Sequence, residues 1–191
     1  MKDKFIGIYK QHIKRAGAEE LLQWLLGTDF FEAPASTRFH LARPGGLVEH
    51  SINVYNRLRR LYIFEYGEPL SAEQEEKIAI CGLLHDLCKV NFYKKEMRNR
   101  KNEDGQWEKY PFYVVNDTLP YGHGEKSVYI ILGFMKLSRE EAMAIRWHMG
   151  GFDDSVKGGS FTLSKAFDLF PFALLTHIAD LEATHLEEAD K

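Results

Sequence analysis

Apolar residues recur at helical spacing along nearly the whole chain. Ala18 to Leu26 (AEELLQWLL) is an amphipathic run that stops at Gly27, a natural helix C-cap, and the stretch from about Lys4 to Leu26 reads as mostly helical. FFEAPASTRFHLARPGG has no period and is broken by Pro34, Pro44, Gly45 and Gly46, so it predicts a loop. Leu47, Val48, His50, Ser51, Val54, Leu58 and Leu61 then follow a three-and-four spacing that ends at Gly67 and Pro69. Ser71 and Gln74 have the spacing of a capping box, and the helix they open, EEKIAICGLLHDLCKV, becomes apolar nearly all round. Further helices are predicted from about Gly124 to Lys136 and from Ser138, with Glu141 as a second capping box, to Met149. A last one begins near Pro171 and runs through FALLTHIADLEATHLEE, after a glycine-bearing loop at 153–160.

Residues 91–122 break the pattern. KKEMRNRKN and WEKYPFYVV alternate polar and apolar positions about Asp104-Gly105, which predicts a β-hairpin inserted in an otherwise all-α domain. Helical runs follow one another without strands between them, which excludes a βαβ architecture. The 191 residues suit one domain, 45% hydrophobic residues are too many for a disordered chain, and no apolar run approaches the roughly 20 residues of a membrane span. Two cysteines make no disulfide framework, and the opening MKDKFIGIYKQHIKR has no apolar signal core, so a reduced, cytoplasmic protein is expected.

Eight histidines carry the candidate chemistry. In a continuous helix, His85 and Asp86 project on adjacent sectors with Lys89 between them one turn on, while Leu83, Leu84, Leu87 and Val90 face the other way. Burying such groups without partners costs several kcal/mol each, so either a metal ion or a local hydrogen-bond network must satisfy the pair. His50 (GGLVEHS), His123 (GHGEKS), His148 (AIRWHMGG) and Asp180 (HIADLEAT) each sit on a different helix or helix boundary, as converging ligands do in helical bundles. Cys81, His85 and Cys88 make a rival zinc set, but the thiols lie two turns apart, about 10 Å along the axis, and are assigned to the core. Trp147 is expected to pack into the core, and His12 and His185 to lie on the surface. His177, one turn before Asp180, is a weaker candidate for supporting the site.

The ordered series His50, His85-Asp86, His123, His148, Asp180 brings a resemblance with it. HDxxK from His85 to Lys89, flanked by GGLVEHS, GHGEKS, a later His-Met-Gly and a closing Ala-Asp, resembles the HD superfamily of metal-dependent phosphohydrolases in its six-ligand, two-metal form. The match spans about residues 36–182. Within the superfamily, PASTRFH before GGLVEHS is similar to a segment of the Gram-positive HD-type 3′→5′ exoribonucleases, with Leu41-Ala42-Arg43 where that group tends to a second His and an aromatic.

The resemblance implies an HD-domain helical bundle. It implies that His50, His85, Asp86 and Asp180 hold one metal and that Asp86 bridges to a second, completed by His123 and His148. Asp86 and Lys89 would be catalytic, Lys89 by neutralising a phosphate oxygen, although a salt bridge to Asp86 is its simpler role. Four imidazoles and two carboxylates suit Mn, Fe, Co, Ni or Zn. His40, Arg43, Lys89 and Arg98 are the candidate substrate contacts.

The first hairpin strand gathers Lys94, Lys95, Arg98, Arg100 and Lys101 against Glu96 in a chain of net charge −3, either to attract phosphate or to guard an edge strand from pairing. Tyr93, Trp107, Tyr110 and Phe112 could stack on a base, though aromatics in a hairpin more often pair across strands. The expected function is hydrolysis of a phosphate ester in a nucleotide or a short nucleic-acid end. A mononuclear nucleotidase and a non-catalytic nucleotide-binding module are the alternatives.

Overall fold

The computed structural model describes residues 1–189. Among them run α1 (Lys2–His12), α2 (Ala18–Leu26), α3 (Gly46–Tyr66), α4 (Ala72–Leu84), β1 (Tyr93–Lys101) and β2 (Trp107–Val115). These are followed by α5 (His123–Leu132), α6 (Arg139–Trp147), α7 (Asp154–Lys157), α8 (Thr162–Leu169) and α9 (Pro171–Glu182). The fold is a helical bundle with one two-stranded antiparallel sheet, as the apolar periodicity predicts. Among the described residues no helix is long and apolar enough to cross a membrane.

The long helix α3 is the centre of the bundle and packs against both α4 and α9, while α6 packs against α9 and α5. The core between them is built from Leu47, Val54 and Leu58 of α3, Ile78, Ile80, Leu83 and Leu84 of α4, and Phe172 and Ala179 of α9. Phe5, Tyr9, Leu21, Leu22 and Leu25 of α1 and α2 join this core. Each fully buried Val, Leu, Ile or Phe among them contributes about 1.5–3 kcal/mol. Both expected capping boxes form. Ser71 Oγ accepts from the Gln74 amide at 3.2 Å while the Ser71 amide donates to Gln74 Oε1 at 2.8 Å, and Ser138 and Glu141 repeat the exchange at 3.2 and 2.7 Å.

Two glycines set how closely the site-bearing helices approach. A Cβ on Gly82 would lie 2.5 Å from the Cα of Tyr55, so α3 and α4 can meet only with glycine there, three residues before His85. A Cβ on Gly124 would lie 2.2 Å from the carbonyl oxygen of Arg146, so α5 approaches α6 backbone to backbone beside His123 and two residues before His148. Close crossing is therefore enforced next to three of the candidate ligands.

Several boundaries differ from expectation. The helix expected to run through His85-Asp86 to Val90 stops at Leu84, and His85 caps it. Asp86 leaves helical geometry (φ −102°, ψ 22°), and a tight turn over Leu87–Lys89 follows. The reason lies in the polar groups. Leaving the helix lets the Cys88 amide bond Ser127 Oγ at 3.0 Å, and in the observed turn Lys89 comes back onto Asp86.

The segment read as a glycine loop contains α7, and α8 lies beyond it. The four residues of α7 are too few to show a period, whereas α8 has an apolar stripe, Leu163, Ala166 and Phe167, that does mark it in the sequence. The final α-helix ends at Glu182, and a wider π-type turn over Ala183–Glu187 carries the chain on. The hairpin pairs nine residues without a bulge, from Tyr93 opposite Val115 to Lys101 opposite Trp107. Its turn spans residues 102–106, closed by the Asn102 amide on the Gln106 carbonyl at 2.8 Å, with Gly105 at φ +75°.

Candidate metal centre

All six predicted ligands converge. α3 supplies His50, the end of α4 supplies His85 and Asp86, the first residue of α5 is His123, His148 caps α6, and α9 supplies Asp180. Asp86 is the hub. Its Oδ2 faces His85 Nε2 at 3.6 Å and His50 Nε2 at 3.5 Å, and its Oδ1 faces His123 Nε2 at 2.8 Å and His148 Nε2 at 3.5 Å. Asp180 Oδ1 lies 3.2 Å from His50 Nε2. His50, His85, Asp86 and His148 are almost wholly buried, whereas His123 and Asp180 line the wall of a cavity of about 540 Å³.

The orientation of the imidazoles is as informative as their distances. His85 Nδ1 donates to the Gly82 carbonyl at 3.0 Å, and His148 Nδ1 donates to the Ile145 carbonyl at 2.7 Å. His50 Nδ1 faces Glu188 at 3.0 Å. With each Nδ1 committed to an oxygen, all three rings turn Nε2 inward. His50 Nε2 and His85 Nε2 are only 3.2 Å apart, and His148 Nε2 is buried with no hydrogen-bond partner. Without a metal ion, a proton on His50 Nε2 satisfies the contact with His85 and the one to Asp180, and a cation bound there would replace that proton. Converging Nε2 atoms with carboxylate oxygens are the donor set of a transition-metal site, so these residues fit a metal ion.

The charges of the protein alone place that proton on His50 and not on His85. Burial pulls His50 down, but Asp180 and Glu188 outweigh it and raise its pKa to about 10. Burial, reinforced by the neighbouring His148 and His50, takes His85 down to about 3 despite Asp86. Burial also opposes ionisation of Asp86, yet Lys89, His85 and His123 hold it well below the ordinary carboxylate range. Lys89 Nζ lies 2.6 Å from Asp86 Oδ2, making the salt bridge, and lines the same cavity.

Of the other candidate contacts, His40 belongs to the cavity wall, its ring edge-on to His50 with centroids 4.8 Å apart. Arg43 does not line the cavity, because Glu49 takes its guanidinium at 2.6 Å. Arg98 is also outside, stacked 3.5 Å over the Phe112 ring on the hairpin. His177 Nδ1 donates to the backbone carbonyl of His148 at 2.6 Å, which steadies that residue from behind. His185 is exposed on the cavity rim. His12 is not a plain surface residue, since it is half-buried beside Glu75. Trp147 is buried, as expected.

Two residues were not anticipated. Cys88, assigned to the core, is buried as expected but its Sγ lies 3.4 Å from His123 Nε2, because the turn after Asp86 swings it towards the site. Burial and the nearby Asp86 push its thiol pKa far up, so it stays protonated, while Cys81 remains in the core. Glu188 is the larger omission. Its Oε1 accepts from Asn53 Nδ2 at 2.9 Å, its Oε2 faces His40 Nδ1 at 2.6 Å, and both oxygens contact His50 Nδ1. It thus fixes which nitrogen of His50 points inward. In sequence Glu188 sits in an acidic tail that looks solvated. Only the π-type turn after α9 folds it back under α3.

A helical bundle that gathers four imidazoles and two carboxylates in overlapping clusters has the donor set of a metal site. The HD domain family model matches residues 47–191, and the chain belongs to that family, whose superfamily is one of metal-dependent phosphohydrolases. No curated protein and no solved structure matches it.

Proposed function

We propose that this chain is a metal-dependent phosphohydrolase that holds two divalent transition-metal ions and cleaves a phosphate ester of a nucleotide or a nucleic-acid end. The observation that carries this reading is the division of Asp86. One oxygen faces the His50–His85 side and the other faces His123 and His148, so a single buried carboxylate addresses two sets of inward Nε2 atoms. His50, His85, Asp86 and Asp180 would hold one ion, and Asp86, His123 and His148 the second. Bound there, such ions lower the pKa of a water and polarise a phosphoryl oxygen.

The chain's own residues do the rest. Lys89, its ammonium raised in pKa by Asp86 against the effect of burial, presents a fixed positive charge to the cavity and meets a phosphate oxygen. Lys157 and His185 add further donors at the rim, and Phe39, Tyr93 and Phe152 give the mouth an apolar, aromatic lip that suits a base or sugar. Glu188 and the Gly82 and Ile145 carbonyls keep His50, His85 and His148 in the tautomer that faces inward.

The test is hydrolysis of a generic phosphate diester and monoester by purified protein with added Mn. Turnover in the wild type that vanishes in Asp86→Ala, with helicity retained, is expected. No turnover on either substrate class, with metal bound, would favour a nucleotide-binding module instead.

A further inference from the structure

The hairpin carries a sorted surface that the proposed chemistry does not use. Because β1 and β2 pair residue for residue with no bulge, directly opposed residues share a face. One face holds Tyr93, Lys95, Met97, Asn99 and Lys101 with their partners Val115, Tyr113, Pro111, Lys109 and Trp107. It has three lysines, three aromatic rings and no carboxylate. The opposite face holds Glu96 and Glu108, the latter paired with Arg100 at 2.6 Å, and its rings Phe112 and Tyr110 are covered by Arg98 and Arg100. The acid-free face is the open one. Trp107 is 71% exposed, Met97 59% and Val115 57%.

This face is continuous with the candidate site. Tyr93 and Val115, the first pair of the hairpin, both line the cavity that contains Asp86 and Lys89. From there Lys95 lies against Tyr113, Lys109 follows, and Lys101 lies against Trp107 at the far end. Eight residue steps at about 3.3 Å make a track of roughly 26 Å. The face thus runs outward from the half-buried rings of Tyr93 and Tyr113, with Lys95 beside them, past Met97 and Pro111 to Lys109, Lys101 and the exposed Trp107, residues two apart lying about 6.6 Å from each other.

We propose that this face is a binding track for single-stranded nucleic acid, leading one strand end into the cavity. The identification rests on the hydrolase reading for what happens at the end of the track, but not for the binding itself. Lysines without neighbouring carboxylates recognise a phosphate backbone, and open aromatic faces stack on bases of any sequence. A duplex hides its base faces in the stack and would meet only the lysines. A membrane-inserting hairpin would carry an uncharged apolar tip, whereas here the exposed Trp107 near the tip stands between Lys101 and Lys109. Tyr110 and Phe112, which in sequence look equally able to stack, face the other way under their arginines.

The experiment is fluorescence anisotropy of a labelled single-stranded decamer with phosphorothioate linkages, which resists cleavage, titrated with the intact metal-loaded protein at several salt concentrations. Trp107→Ala is expected to weaken binding about 5-fold or more. Lys95→Glu/Lys101→Glu/Lys109→Glu is expected to weaken it more than 10-fold and to flatten the log–log salt dependence by about 2. Lys94→Glu/Arg98→Glu/Arg100→Glu on the other face, also three charge reversals, serves as the matched control and is expected to weaken binding far less.

Equal losses from both faces, no binding by the wild type, or loss of binding to phosphatidylserine vesicles in place of the oligonucleotide would each overturn the proposal. Circular dichroism of every variant separates misfolding from lost contacts. Hydrolysis of bis(p-nitrophenyl) phosphate by the wild type is read separately, so a failed track and a failed hydrolase reading give different results.

Discussion

Metal capture at this centre is coupled to a proton, and His50 sets the size of the coupling. Asp180 lies 3.2 Å from its Nε2 and Glu188 lies 3.0 Å from its Nδ1. Burial lowers the His50 pKa, but the two carboxylates carry it to about 10, so the metal-free protein holds an imidazolium there at neutral pH. A cation that takes Nε2 must first expel that proton. At pH 7, three units lower, the competition weakens the observed affinity by roughly 10³, or about 4 kcal/mol. Affinity should therefore climb about tenfold per pH unit from 7 to 9 and flatten near 10.

Glu188→Gln removes one of the two charges while keeping the side-chain size. His50 then holds its proton less tightly, and the flattening moves to lower pH. Isothermal titration calorimetry with Mn, in buffers of different ionisation enthalpy, counts the protons released. At least one per chain at pH 8 is expected in the wild type. No proton release, together with an affinity flat from pH 7 to 9, would refute the reasoning.

The same histidine predicts a stability profile for the metal-free protein. Its folded pKa lies above its unfolded value near 6.5, so its contribution is complete below about pH 6.5 and is lost as pH rises towards 10. Thermal melts of the chelated protein should fall across that window, and those of the metal-loaded protein should not follow it. Lys89→Met should lower kcat on a small phosphodiester by about 10²–10³ with metal content unchanged, which steady-state kinetics and elemental analysis would check. Arg15 binds Glu141 through two bonds of 2.8 Å and also reaches Glu76, and Glu141 is buried. Arg15→Ala should therefore cost about 3 kcal/mol, a fall of roughly 6–12 °C in Tm by calorimetry, partly restored by adding Glu141→Gln.

The helices that carry the site were legible because their signals are local. Ser71 with Gln74 and Ser138 with Glu141 announce two helix starts, and the apolar stripe of α3 already places His50 on the buried face. The six candidate ligands stand in apolar or glycine-flanked settings, but none is persuasive alone, and the resemblance carried by HDxxK and its flanking motifs is what orders them into a series. What the sequence hides is set by tertiary contact. The helix break at His85-Asp86 follows from the need to satisfy buried polar groups, which propensity cannot see, and it is what brings Cys88 up to His123. Glu188 depends on a single wide turn that returns an acidic tail to α3. Arg43 and Arg98 look free in sequence but are held by Glu49 and Phe112, so charge alone was a poor guide to what reaches the cavity.

The central claim is that Asp86 joins two sets of imidazole ligands. The most direct measurement is the metal-to-protein ratio, by elemental mass spectrometry, after saturation with Mn and removal of free ions. The account predicts two ions per chain in the wild type and one in His123→Ala/His148→Ala. A wild-type ratio of zero, or a ratio that the double variant leaves unchanged, would contradict it.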